Sequence, residues 1–179
     1  MANILLHDTR VYVAGSPPHS DIYKAVNEQT NIEEAIRALA NQIDKSILIP
    51  NTVNTLNILA HGSPRGILLG RPGLSQVNVG IFAPLYRKVS AIVFHSCAAS
   101  FRYADSRLYN GENMCLFLSQ IVECTVIAAD ETQYLNMDRF FSTHNTVEYA
   151  PWQGIVSVYI NGRLDHQNSP FSREAGIMP

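Results

Sequence analysis

The stretch "NILAHGSPRGILLG", Asn57 to Gly70, decides how this chain is read. An apolar run stops abruptly at His61-Gly62, and a second run begins at Ile67. The first run has the length and composition of a buried strand closed by a turn. Gly62 would supply positive φ to such a turn, or let a substrate carbonyl come close to the backbone. His61 is accordingly either an ordinary turn residue or half of a reactive site. What stands at the ends of the other strands separates the two.

Three further apolar runs end in the same way. "NILL" (Asn3 to Leu6) closes in His7-Asp8, "AIVFHS" (Ala91 to Ser96) runs into Cys97, and "TVIAAD" (Thr125 to Asp130) ends in a carboxylate. The runs are apolar throughout rather than alternating, as expected of parallel strands buried on both faces. "RVYVAG" (Arg10 to Gly15) reads as an extension or hairpin partner of the first run. "TNIEEAIRALANQI" (Thr30 to Ile43) reads as a helix. Thr30 and Glu33 have capping-box spacing, and Ile32, Ala35, Ile36, Leu39, Ala40 and Ile43 form one apolar face. "NMCLFLSQIVE" (Asn113 to Glu123) reads as a buried helix. Asn161-Gly162, between two short runs, is a type I′ hairpin signal.

The predicted fold class is therefore α/β: a mostly parallel central sheet with helices on both faces, plus a C-terminal β-hairpin. One domain is expected over 1–170, with a tail over 171–179. The chain of 179 residues, 46% hydrophobic and 16% charged, suffices for one well-filled core. A formal net charge of -2 with scattered Lys and Arg gives no nucleic-acid footprint. No apolar run approaches the roughly 20 residues of a membrane span. The opening residues "MANILLHD" lack the basic and long apolar regions of a signal peptide. The expected location is cytoplasmic, or outside the cell by export without a cleaved signal. Oligomeric state is left open.

If the strands are parallel, Asp8, His61, Cys97 and Asp130 share one edge of the sheet, outside the carboxyl ends where α/β sheets bind ligands. A cysteine nucleophile needs a neighbouring base, because the thiolate is the reactive form. Two adjacent strands can bring His61 to Cys97. The small, polar surroundings "HSCAAS" suit an accessible turn, whereas Cys115 and Cys124 lie in apolar helical context and read as core. Three cysteines give neither a disulfide framework nor a zinc spacing. His61, His95 and Cys97 would be three ligands of a metal-dependent hydrolase, a reading that lacks an evident fourth ligand. Ser96 lacks the G-x-S-x-G setting of a serine nucleophile.

"LNILAHGSPRGILLG" followed by "AIVFHSCAAS" resembles the His-Gly and Cys motifs of the caspase-like (clan CD) cysteine peptidases, which include CHAT domains. More narrowly, the chain resembles the caspase-like domain near the N-termini of giant bacterial repeat and adhesin proteins. "ILLHDTRV", "IEEAIRALANQ", "HGSPRGILLG", "FHSCAAS" and "NMCLFLSQIVECTVIAADETQ" follow one another in that domain's order, over roughly residues 3 to 135. Arg65 stands where that domain has glycine or a small residue, and "FRYADSRLYNGEN" is a longer connection.

The resemblance implies a Cys-His dyad of Cys97 and His61, with Gly62 and Cys97 N–H groups as the oxyanion hole and no cofactor. It implies a protein or peptide substrate. Asp8, Asp130 and Ser96 would line the substrate pocket, and paired carboxylates there would favour a basic P1 residue. A silent caspase-like binding module of a toxin or adhesion system is the alternative. "FRYADSRLYNGEN" and "DETQYLNMDRFFSTHN" are expected to be mobile loops.

Overall fold

A computed structural model describes residues 2–13, 16–46, 54–63, 65–102, 110–131, 133, 135–136, 148–149 and 151–168. Its strands are β1 (Ala2–Asp8), β2 (Ile22–Val26), β3 (Asn54–Leu59), β4 (His61–Ser63), β5 (Gly66–Leu68), β6 (Ala91–His95), β7 (Thr125–Ala129), β8 (Leu135–Asn136), β9 (Glu148–Tyr149), β10 (Val156–Ile160) and β11 (Arg163–Asn168). The α-helices are α1 (Ile32–Lys45) and α2 (Gly111–Val122), and a 3-10 helix covers Val79–Leu85. The predicted tail and the central parts of both predicted mobile loops lie outside the described residues.

Seven strands form one sheet in the order β11-β10-β7-β6-β3-β1-β2. The strands from β2 to β7 are parallel to one another, and β10 and β11 are antiparallel additions. The protein is thus α/β with a mostly parallel, mixed sheet. The β10–β11 hairpin exists as predicted. Asn161 and Gly162 both take positive φ (50° and 74°), as a type I′ turn requires.

The helices depart from expectation. Among the described residues both α-helices and the 3-10 helix cover a single face. The core joins Ile36 and Leu39 of α1, Phe82 and α2's Leu118 and Val122 to alternate strand residues such as Leu6, Ile58, Phe94 and Ala128. Topology accounts for this. The steps β2 to β3, β3 to β6 and β6 to β7 all move towards the same end of the sheet, so right-handed crossovers put these three helix-bearing connections on the same side. The opposite face also buries Leu5, Leu59, Val93 and Val158, which is why the strands read as continuously apolar.

The first strand's neighbour is also different. Residues 10–13 are not strand. β2 (IYKAV) pairs with β1 instead, and its half-exposed, edge-strand pattern gave no continuous apolar run. All six predicted apolar positions of α1 are buried. Its cap is Asn31, one residue beyond the expected Thr30. The Asn31 Oδ1 accepts from the N–H groups of Glu33 and Glu34, while Thr30 Oγ1 bonds Asn27. No helix among the described residues is long and apolar enough to cross a membrane.

Candidate active site

Parallel register does the first part of the work. Leu59 of β3 pairs with His95 of β6, so His61 and Cys97 each stand two residues past the same rung. Neighbouring strands are about 4.8 Å apart. β1 and β7 flank this pair, and the ends of β1, β3, β6 and β7 lie on one edge of the sheet, as the sequence predicts. The sheet order reverses around β1, with β2 on one side and β3 on the other. Crevices at such reversals are where α/β sheets bind ligands.

The second part is done by Gly62. It belongs to β4, which pairs antiparallel with β5. Its φ is not positive, so the predicted positive-φ turn does not explain it. The reason is close approach: a Cβ on Gly62 would lie 1.9 Å from the Cys97 carbonyl oxygen and 3.0 Å from the Cys97 nitrogen. Gly62 faces Ile67 across the hairpin, but Ile67 gives its N–H to Leu74 and accepts from Leu74 N–H. Gly62 therefore sits in a non-hydrogen-bonded pair, and its own N–H points out of the hairpin. The Cys97 N–H has no acceptor among the described residues. Two N–H donors thus lie on adjoining backbones.

Both candidate side chains are reachable. His61 is exposed, and Cys97 is half-buried, with its thiol 3.9 Å from the Gln133 carbonyl oxygen. Ala98, the next residue, has a φ of 52°. Left-handed backbone costs a residue with a Cβ about 1 kcal/mol. The turn is held there by Ala98 N–H donating to Glu131 O and Ser100 N–H to Ala129 O. Cys115 and Cys124 are buried core residues, as expected. Burial pushes both thiols up, Cys124 to about 12.

Sequence reasoning missed Arg10. The His61 Nε2 lies 3.1 Å from the Arg10 carbonyl oxygen, which can only accept. In the neutral imidazole this partner makes Nε2 the donor nitrogen and leaves Nδ1 as the acceptor. A backbone carbonyl in a loop carries no sequence signal.

Asp8 and Asp130 do not form one acidic pocket. They end β1 and β7, three strand spacings apart, or about 14 Å. Asp8 is fully buried. It accepts from the Arg10 guanidinium at 2.8 and 2.6 Å, from Arg10 N–H and from Gly70 N–H. Burial alone would push its carboxyl up, but these donors outweigh that and hold it below the usual carboxylate range. Asp130 accepts from Ile155 N–H at 2.7 Å through one oxygen and keeps the other open among the described residues. Ser96 is only 1% exposed, so a substrate resting on this edge does not reach it. Its hydroxyl has no hydrogen-bond partner among the described residues.

His95 is turned to other work than metal binding. Its Nε2 is 2.9 Å from Asn57 Oδ1, and Asn57 in turn donates to Asn3. The ring stacks on Tyr149 at 3.4 Å and on Trp152 at 5.5 Å. Burial lowers its pKa to about 3, so the ring is neutral at ordinary pH. Among the described residues no three His, Cys, Asp or Glu side chains are placed to share a metal ion. His7 is likewise committed, to Tyr23 OH and the Val11 carbonyl. No family model matches the sequence, and no curated protein or solved structure matches it either.

Proposed function

We propose that the chain is a caspase-like cysteine hydrolase acting on peptide bonds, with Cys97 as nucleophile and His61 as general acid and base. The observation that carries this reading is the seating of Gly62 against the Cys97 backbone. It sets His61 and Cys97 on adjoining segments, whose Gly62 and Cys97 N–H groups would serve as the oxyanion donors. The His61 tautomer, fixed by the Arg10 carbonyl, supports it further.

The Cys97 thiol gives its proton to His61 Nδ1, and the thiolate sulfur attacks the scissile carbonyl carbon. The carbonyl oxygen takes the negative charge and accepts from the Gly62 and Cys97 N–H groups. His61 passes its proton to the amide nitrogen, the C–N bond breaks, and the amine leaves. A thioester on Cys97 remains. His61 then takes a proton from water, whose oxygen attacks the thioester. The C–S bond breaks, the acid departs and Cys97 recovers its proton. The residues supply every step without a cofactor.

Asp8 is committed to Arg10 and Gly70, so a basic P1 preference rests on Asp130 alone. A panel of fluorogenic peptides differing at P1 tests the activity and the preference together. Cleavage by the wild type, lost in Cys97→Ala and kept in Cys115→Ala, is the expected result. Equal activity of wild type and Cys97→Ala on every substrate would overturn the peptidase reading and leave the silent binding module.

A further inference from the structure

In the connection between β7 and β10, the described residues next to each strand lie against the end of β6. The connection's two limbs are zipped together at the base. Asp130 N–H donates to Ile155 O and Asp130 Oδ1 accepts from Ile155 N–H. Gln133 and Gln153 bond reciprocally: Gln133 Nε2 donates to Gln153 O at 2.8 Å, and Gln153 N–H donates to Gln133 Oε1 at 3.3 Å. Leu135 pairs with Tyr149 and Asn136 with Glu148, as β8 and β9.

Besides the Glu131 carbonyl that accepts from Ala98 N–H, this zipped unit touches the Cys97 segment at two further points. On one side Tyr149 and Trp152 stack on His95, two residues before the cysteine. On the other the Gln133 carbonyl meets the Cys97 thiol itself. His95 is held from behind by Asn57, so the aromatic pair presses on a fixed ring. The proposed chemistry uses none of these four side chains.

We infer that Tyr149 and residues 151–155 form a strap that positions Cys97, with Trp152 acting through His95 and Gln153 acting through Gln133. His95 and Trp152 are positioning residues, since neither meets the reacting atoms, and the Gln133 side chain is one too, since it holds in place the backbone carbonyl that touches the Cys97 thiol. The inference rests on the reading of Cys97 as the nucleophile, yet its test does not depend on turnover. Loosening either anchor frees the thiol from its wall. Attack by a small reagent then becomes easier, while attack on a large, oriented substrate becomes harder.

The experiment compares full-length wild type with Trp152→Ala, Trp152→Phe and Gln133→Ala. Iodoacetamide labelling is followed by mass spectrometry at each cysteine, beside peptide cleavage. Cys97 labelling should rise roughly five-fold in Trp152→Ala and Gln133→Ala, with Cys115 and Cys124 unlabelled. Trp152→Phe keeps the stacked ring and should stay near the wild-type rate. On a cleaved peptide, kcat should fall about ten-fold in the alanine variants with KM little changed. Unchanged Cys97 labelling in both alanine variants overturns the strap. Where Trp152→Ala exposes all three cysteines it has unfolded, and Gln133→Ala decides alone. Faster labelling in a protein whose wild type cleaves nothing keeps the strap and removes the peptidase.

Discussion

Gly62 lies so close to Cys97 that a single methyl group on it would sit 1.9 Å from the Cys97 carbonyl oxygen. The contact is between backbones, so neither partner can yield by changing a rotamer. Gly62→Ala must therefore push the His61 hairpin off the Cys97 turn. Expected are a destabilisation of about 1–3 kcal/mol and a loss of peptide cleavage of 100-fold or more, on the order of one removed oxyanion donor. Gly80→Ala, where nothing lies within 4 Å of an added Cβ, is the control and should do neither. Urea unfolding and a peptide assay read both.

The three cysteines should separate by access. Cys97 is half-buried at the sheet edge, whereas Cys115 and Cys124 are in the core with thiols pushed up by burial. Iodoacetamide at pH 7.5 should label Cys97 at least ten times faster than either of the others. Peptide mass mapping over a time course checks this. Comparable labelling of all three would show that the core, not the site, governs reactivity.

Arg10 joins two tasks, holding Asp8 by its guanidinium and His61 by its carbonyl oxygen. Arg10→Ala keeps the carbonyl but leaves the Asp8 carboxylate buried with backbone donors only. The expected cost is about 3 kcal/mol, as for a buried pair broken on one side. The Asp8 carboxyl is held below its usual range, so its stabilising contribution is present above pH 4 and fades as pH falls below it. Arg10→Ala should flatten that part of the stability profile. Asp8→Asn, which still accepts from Gly70 N–H, should be milder. Unfolding midpoints of the three proteins between pH 3 and 7 test the order.

His95 should make the fold sensitive to mild acid. Its pKa is lowered to about 3 by burial against Tyr149 and Trp152, while the unfolded chain titrates near 6.5. The unfolded state binds the proton first, so stability is complete above pH 6.5 and is lost as pH falls towards 3. Between pH 6.5 and 4.5 the loss should reach about 2 kcal/mol. His95→Gln keeps a donor for Asn57 and removes the titration, so its profile should be flat over that window. An equal slope in both proteins would assign the effect elsewhere.

Much of this was written in the local sequence. The strands Leu56–Leu59, Ala91–His95 and Thr125–Ala129 announce themselves as apolar runs, and α1 does so by its 3.6-residue period. Asn161-Gly162 names its own turn type because only such residues accept two consecutive positive φ values cheaply. β2 was hidden because an edge strand shows one buried face in short alternation. The cap fell one residue late because Asn31 competes with Thr30 for the same N–H groups, and only local geometry chooses.

The sequence by itself singled out a histidine and a cysteine, each at the end of an apolar run, as the candidate pair. It determined that those runs would be parallel strands, because they are buried on both sides. Only the tertiary structure decided that β3 and β6 are neighbours in register, which sets His61 and Cys97 at the same level. It also decided that Asp8 answers Arg10 while Asp130 stands about 14 Å away across the sheet. Strand order and long-range partners follow from how the whole chain closes its core, and a residue's neighbours across a sheet leave no mark in its neighbours along the chain.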